Sequence, residues 1–293
     1  MTTLIIGCGY LGQRVGMLIS QSGERVHGTV RSQRRAALIA ELGIEPVIAD
    51  VLKPDTLREL PVTERVFYCV GFDRAAGIPM RSVYVNGLQN VLDQLSRSVA
   101  RFVYASSTGV YGQTSGEWVD EGSPTHPHHA SGKYCLEAEK SVRAWVESRG
   151  GRAAAIVLRF AGLYGPGRVV RRALVERGEP IPGDPEKLLN LVHIDDAARA
   201  SVAALAAPRA DSIYVISDDR PITRQEYYTC VASILGAPEP RFEPPQPGSP
   251  EAARDATSKR VDNRRMKAQL VAEPSYPDIA TGLPAALRPS DRP

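Results

Sequence analysis

Three glycines, Gly7, Gly9 and Gly12, follow the apolar run Leu4-Ile5-Ile6 and precede a helical pattern from about Tyr10 to Ser20. A strand that ends in Gly-x-Gly-x-x-Gly and turns at once into a helix restricts the chain to a βα unit built around a tight turn. The first glycine permits the turn. The second lets a backbone approach a pyrophosphate, and the third lets helix pack on strand. The helix N-terminus offers its N–H groups and positive dipole end to an anion. Gly7, Gly9, Tyr10, Leu11 and Gly12 are therefore expected to hold the phosphates of a dinucleotide. The competing reading is a tight turn with no ligand.

The alternation continues downstream. Arg25 to Val30, Glu45 to Ala49, Arg65 to Val70 and Arg101 to Ala105 read as strands. Gln33 to Leu42, Ser82 to Ser96 and Gly132 to Ser148 read as helices, and Ala153 to Leu158 is a further β-branched strand. Such alternation predicts parallel βαβ units with helices on both faces. Right-handed crossovers then leave a doubly wound α/β sheet of the Rossmann type.

The second half is less regular. Asp195 to Ala207 reads as a helix, Ser212 to Ile216 as a strand, and Thr223 to Leu235 as a helix with Thr223 as N-cap. Prolines crowd residues Pro238 to Pro250 and force a loop. The basic segment from Lys259-Arg260 to Lys267 reads as a solvated face. The division this suggests is a dinucleotide-binding domain over 1–164, completed by about 190–216. A smaller C-terminal substrate lobe takes 165–189 and 217–293.

The end of the second strand reports which dinucleotide is held. A carboxylate about 20 residues past the glycines binds the ribose 2′-hydroxyl of NAD. Here the sequence is Thr29-Val30-Arg31-Ser32-Gln33-Arg34-Arg35, with three arginines and no acid. A guanidinium binds a 2′-phosphate bidentately, so NADP is expected ahead of NAD, with Arg31 as the contact. The bland alternative is a basic turn facing solvent. Asp50, after the third strand, is placed to bond an adenine amine or to cap a loop. Cys69, Val70 and Gly71 end the fourth strand, where a cofactor ribose would pass.

Several later runs act together. Arg101 to Gly112 includes Ala105-Ser106-Ser107-Thr108-Gly109-Val110-Tyr111-Gly112. Asp120-Glu121, Pro124 and Pro127 follow, then Leu158-Arg159 with Tyr164-Gly165-Pro166-Gly167, then Val192-His193-Ile194-Asp195-Asp196. In this order they resemble the extended short-chain dehydrogenase/reductases, the NAD(P)-dependent epimerase/dehydratase family. The glycine pattern is similar to that of the family's atypical, YeeZ-like group. The resemblance implies a small carbonyl or sugar-nucleotide substrate, and it implies that Ser107 is the family's active-site Ser/Thr.

One departure stands out. The family's Tyr-x-x-x-Lys aligns with Ser131 and Cys135 when counted forward from Pro127 or back from Leu136-Glu137. A serine hydroxyl is a poor acid, and a neutral thiol offers no cation. Tyr134, one helical turn on, is a substitute acid/base or a packed aromatic. His129 is a further proton carrier to weigh, and His193 is expected to bond backbone. Two functions stay open: an NADP-dependent oxidoreductase, epimerase or dehydratase, and a non-catalytic NADP-binding sensor or regulatory protein.

Composition narrows the partners. Thirty-six Lys plus Arg against 33 Asp plus Glu leave a net charge of +3, too little for a nucleic-acid partner. No apolar run nears the ~18 residues of a membrane span. The N-terminus lacks a signal-peptide pattern and the four cysteines form no CxxC pair, so a cytoplasmic protein without a metal site is expected. A second copy of the chain is a candidate partner.

Overall fold

A computed structural model describes residues 1–208, 212–249, 252 and 255–288. Pro250, the end of the proline-rich segment, lies outside them, as do 209–211, 251, 253–254 and 289–293 of the expected domains.

The strands are β1 (Thr2–Ile6), β2 (Arg25–Val30), β3 (Glu45–Ile48), β4 (Arg65–Tyr68) and β5 (Arg101–Ser107). They continue as β6 (Glu117–Val119), β7 (Ala154–Phe160), β8 (Gly162–Tyr164), β9 (Ile181–Pro182) and β10 (Leu188–Leu189). The last are β11 (Leu191–His193), β12 (Ser212–Ile216), β13 (Ile222–Thr223), β14 (Phe242–Glu243) and β15 (Lys259–Val261). The helices are α1 (Tyr10–Gln21), α2 (Gln33–Ala40), α3 (Gly87–Gln94), α4 (Ala130–Ser148), α5 (Arg172–Glu176), α6 (Ile194–Ala206) and α7 (Arg224–Leu235). Two more helices cover Arg264–Gln269 and Ile279–Leu287.

Seven strands form one sheet in the order β12-β7-β5-β4-β1-β2-β3. The pairings β1–β2, β1–β4, β2–β3 and β4–β5 are parallel. The order reverses at β1, so β1 and β4 diverge in connection and leave a crevice at their carboxyl ends, where α/β sheets bind ligands. The fold is the doubly wound Rossmann sheet expected from the alternation.

The chain divides into two compact units. The first holds Met1–Ser107, Ser131–Arg159 and Ala198–Tyr214; the second holds Thr108–Ala130, Phe160–Ala197 and Val215–Pro293. In the first unit, one face of the sheet packs Leu4, Ile6, Val66, Phe102 and Val157 against Leu88, Val91 and Leu92 of α3 and Ala138, Val142 and Trp145 of α4. These helix positions recur at three and four residues, which turns one stripe of each helix inward. Burying such side chains supplies about 25 cal/mol per Å² of apolar surface, which drives the layering.

The second unit has its own core of Tyr164, Val175, Ile181, Leu191, Tyr227, Val231 and Leu283. Thr223 caps α7 as expected. Its hydroxyl accepts from the Glu226 amide, while Glu226 accepts from the Thr223 amide, so two end groups of the helix are satisfied. The basic segment is not a solvated face throughout: Lys259 is 9% exposed. No helix among the described residues is long and apolar enough to cross a membrane.

Candidate functional site

The glycine loop is held from both neighbouring strands. The Gly7 amide donates to the Thr29 hydroxyl of β2 at 2.9 Å, and the Cys8 amide donates to the Thr29 carbonyl at 3.0 Å. From the β4 side, the Cys69 amide donates to the Ile6 carbonyl at 2.9 Å and its thiol to the Gly7 carbonyl at 3.2 Å. Val70 closes over the turn so tightly that a Cβ on Gly7 would lie 3.0 Å from its backbone, and Gly7 has φ +96°. A Cβ on Gly12 would lie 2.5 Å from the Gly7 carbonyl oxygen. Both positions therefore need glycine for the fold.

Gly9 differs. It is exposed, and a Cβ built on it meets nothing within 4 Å. It stands at the N-cap of α1 and brings no side-chain cap to the helix. Sterics inside the chain do not explain glycine here, whereas a ligand passing over the loop does. Gly71, also exposed at the end of β4, has the same open space around its missing Cβ. The residues present thus fit a dinucleotide: a turn that only glycine closes, an uncapped helix N-terminus, and clear space above both.

The remaining expected contacts lie in the same compact unit. Tyr10 opens α1, half-buried, with the Arg14 guanidinium 4.5 Å from its ring centroid. Leu11 is buried beneath it. Arg31 is exposed just past β2. Asp50 caps a turn: its Oδ1 accepts from the Leu52 amide at 3.0 Å, so the loop-capping alternative holds for that oxygen. Burial pushes the Cys8 thiol up to about 12 against the opposing pull of Arg35, and pushes the Cys69 thiol well up. Neither is a thiolate near neutrality.

Arg35, which the sequence offered beside Arg31, also reaches the glycine loop. Its guanidinium lies 3.5 Å from the Cys8 carbonyl oxygen, at the lip of the glycine loop. The signal was present, because Arg35 falls one turn into α2, whose N-cap Ser32 accepts from the Arg35 amide. A first-turn side chain of the helix after β2 projects back toward the strand end.

The end of β5 and the start of α4 hold the residues expected to meet a substrate. Ser107 is half-buried at the carboxyl end of β5. Tyr134 is half-buried on the second turn of α4, and its hydroxyl makes no hydrogen bond among the described residues. The two lie in the same unit. Ser131 is half-buried one turn before Cys135 on α4.

Cys135 is buried, and burial pushes its thiol up to about 12, with Glu139 pushing the same way and the Ser106 hydroxyl opposing. Beneath it lies a network that sequence reasoning missed. The Ser106 hydroxyl donates to Glu139 Oε1 at 2.6 Å. Arg159 of β7 donates from Nε to Oε1 at 3.1 Å and from Nη2 to Oε2 at 2.8 Å. Arg159 and Glu139 are 4% and 9% exposed, so this fork ties α4 to two strands in a water-poor setting. The pair spans 20 residues, beyond the reach of local periodicity.

In the second unit, His193 is buried and its Nδ1 accepts from the Asp195 amide at 3.3 Å, the backbone contact expected of it. Asp196 accepts from the amides of Ser275 and Tyr276, each at 2.8 Å. Burial pushes the Asp218 carboxyl up to about 8, with Asp219, Asp278 and Asp196 adding to the rise against a backbone hydrogen bond.

Comparison with known proteins agrees with this geometry. Residues 3–217 match the NAD dependent epimerase/dehydratase family. The chain belongs to that family, whose members are NAD(P)-dependent and epimerase/dehydratase-like. It is 29% identical over 280 residues to protein YeeZ of Escherichia coli, covering 94% of this chain and 96% of YeeZ. A solved structure of a putative NAD-dependent epimerase/dehydratase from Methylobacillus flagellatus is 31% identical, with TM-score 0.76, over 98% of this chain and 97% of that one. The UDP-glucose 4-epimerase of Thermus thermophilus, solved with NAD, shares the fold at TM-score 0.80 and 20% identity, covering 98% and 97%.

Proposed function

We propose that this chain binds NADP(H) in preference to NAD(H) and uses it on a small carbonyl or nucleotide-sugar substrate. The observation that carries the reading is the open space over Gly9, with the Arg35 guanidinium at the neighbouring Cys8 carbonyl and no carboxylate in the run from Thr29 to Arg35. Two guanidinium groups suit a 2′-phosphate, and an acid there would repel it. The epimerase from Thermus is a UDP-glucose enzyme, and the nucleotide-sugar class rests on that likeness.

A bound nicotinamide supplies or accepts the hydride. In this reading Ser107 donates a hydrogen bond to the substrate oxygen. Tyr134 moves the proton to or from it, since a phenol is a better acid than the Ser131 hydroxyl one turn before it. Cys135 takes no part, because a thiol held near 12 is neither cation nor base at pH 7.

That same thiol favours a second reading, a sensor that binds NADP(H) without turnover. The test is NADPH absorbance against small carbonyls and nucleotide sugars. Oxidation of NADPH that falls about 10²-fold or more in Tyr134→Phe supports the first reading. Tight NADPH binding with no turnover on any substrate supports the sensor.

A further inference from the structure

In the first unit, helices α3 and α4 end side by side, and the cleft between their last turns has a chemistry that nothing above uses. Trp145 of α4 donates from Nε1 to the Leu92 carbonyl at 3.2 Å. Arg149, just past α4, donates from Nη2 to the Leu95 carbonyl at 3.0 Å. Both carbonyls belong to the end of α3, where no amide of that helix reaches them. The Arg149 guanidinium also lies 4.6 Å from the centroid of the Trp145 ring. A carbonyl and an indole face together fix its head group in place.

The cleft holds about 290 Å³. Three arginines line it, Arg97, Arg149 and Arg152, with one carboxylate, Asp93. Cations are favoured at helix C-termini, and that accounts for Arg149 on the Leu95 carbonyl. It does not account for Arg97 and Arg152, which are exposed and line the same cleft.

The protein leaves these charges without a counterion. Among the described residues, none of the three guanidiniums takes part in an ion pair. The carboxylate in the wall is engaged along its own helix, where Gln89 donates from Nε2 to Asp93 Oδ1 at 2.7 Å. Three arginines against one aspartate leave the wall with a formal charge of +2. Burial, and then the nearby Arg97 charge, hold the Arg149 guanidinium below the usual arginine range. Like charges so placed repel, and an anion between them relieves the repulsion.

The position is also distinct from the dinucleotide crevice. Strands β1, β4 and β5 are parallel, with the glycine loop just after β1 and Arg97 just before β5. The loop therefore lies at the carboxyl edge of the sheet and the cleft at its amino edge.

We propose that this cleft binds a small polyanion, a molecule carrying two or more carboxylate or phosphate charges close together, through Arg97, Arg149 and Arg152. Guanidinium forks match the paired oxygens of either group. A single carboxylate leaves one positive charge uncompensated and binds more weakly. The site is independent of the function proposed above and needs no cofactor.

The indole N–H of Trp145 reports binding, because Arg149 lies over that ring. The chain has two tryptophans, so in the ¹⁵N-labelled full chain the indole signal that survives Trp118→Phe is that of Trp145. Trp118 is 61% exposed, and its removal should spare the fold. Sodium citrate and sodium pyrophosphate are titrated separately at constant ionic strength, with sodium acetate as the monovalent control. The Trp145 signal should move saturably with one polyanion or both, half-saturated at about 1 mM or below. Arg97→Gln and Arg152→Gln, both at exposed positions, should each raise that concentration about tenfold, as loss of a charged hydrogen bond does. A response to citrate alone assigns carboxylates, a response to pyrophosphate alone assigns phosphates, and a response to both assigns the shared polyanion chemistry. The proposal is overturned by a Trp145 signal that stays in place up to about 10 mM of either polyanion, that follows acetate equally, or that responds in both arginine variants as in wild type. Pyrophosphate caught at the glycine loop instead leaves the Trp145 signal unmoved and counts among those contrary results.

Discussion

The loop between β1 and α1 and the first turns of α4 lie in the same compact unit, yet they treat the family's chemistry in opposite ways. In the glycine loop, Gly7 and Gly12 are small because the fold requires it, and Gly9 leaves open space where a ligand is proposed to pass. On α4, the places where counting along the sequence expects the family's Tyr and Lys hold Ser131 and Cys135. Packing has taken over the second: Cys135 is buried above the Ser106–Glu139–Arg159 network. The difference separates two requirements that usually travel together. Holding a dinucleotide needs backbone shape and open space. Transferring a proton needs a titratable group at one atom, and the function proposed above asks it of Tyr134 on α4.

The strongest way to break this comparison is Gly9→Val. Its added Cβ meets no protein atom within 4 Å, so the thermal midpoint should stay near wild type. NADPH affinity should fall about a hundredfold or more, roughly 3 kcal/mol. Gly12→Val is the control, since its Cβ lies 2.5 Å from the Gly7 oxygen and the fold itself should suffer. If Gly9→Val binds NADPH like wild type, the space above the loop serves another purpose.

Next in size is the network under α4. Glu139→Ala removes the carboxylate that the buried Arg159 fork grips and should cost about 3–5 kcal/mol in urea unfolding. A loss below about 1 kcal/mol would mean that water reaches Arg159. A pH effect of similar origin lies in the second unit. The folded Asp218 carboxyl is raised to about 8, above its unfolded value of 3.8. The stability tied to its proton is complete below about pH 4 and is lost as pH rises through about 8. Asp218→Asn should therefore gain on wild type between pH 4 and 8 and hold the gain above, read as melting temperature against pH. A constant difference across that range contradicts the burial of its charge.

Smaller effects belong to the 2′-phosphate. Arg31→Ala and Arg35→Ala should each weaken NADPH by about 1–3 kcal/mol and leave NADH nearly unchanged. An equal loss for both cofactors would move these arginines to the pyrophosphate. Smallest is thiol chemistry. With their thiols held near 12, Cys8 and Cys135 should resist iodoacetamide in the native chain at pH 8, as read by mass spectrometry.

What the sequence revealed follows the range of the forces involved. The sheet and the glycine loop were legible because strand and helix periodicity and the three glycines are local. The Thr223–Glu226 capping box was legible for the same reason. That Arg35 lies at the Cys8 carbonyl was not legible, because three arginines compete within five residues and only the α2 first turn places this one there. The Glu139–Arg159 fork spans a helix and a strand, and no window of sequence contains its geometry. Lys259 was misread for a related reason. In Lys259-Arg260 the charges look alike, yet a three-residue strand sends one inward and the other to a backbone carbonyl.

The central claim is that the glycine loop holds NADP(H) whatever has become of the acid/base pair. Calorimetric titration of the wild-type chain with NADPH and with NADH tests it most directly. The account predicts one site per chain and NADPH tighter by about tenfold or more, from at least one charge-assisted contact to the 2′-phosphate. No heat with either cofactor, or NADH binding as tightly as NADPH, would contradict it.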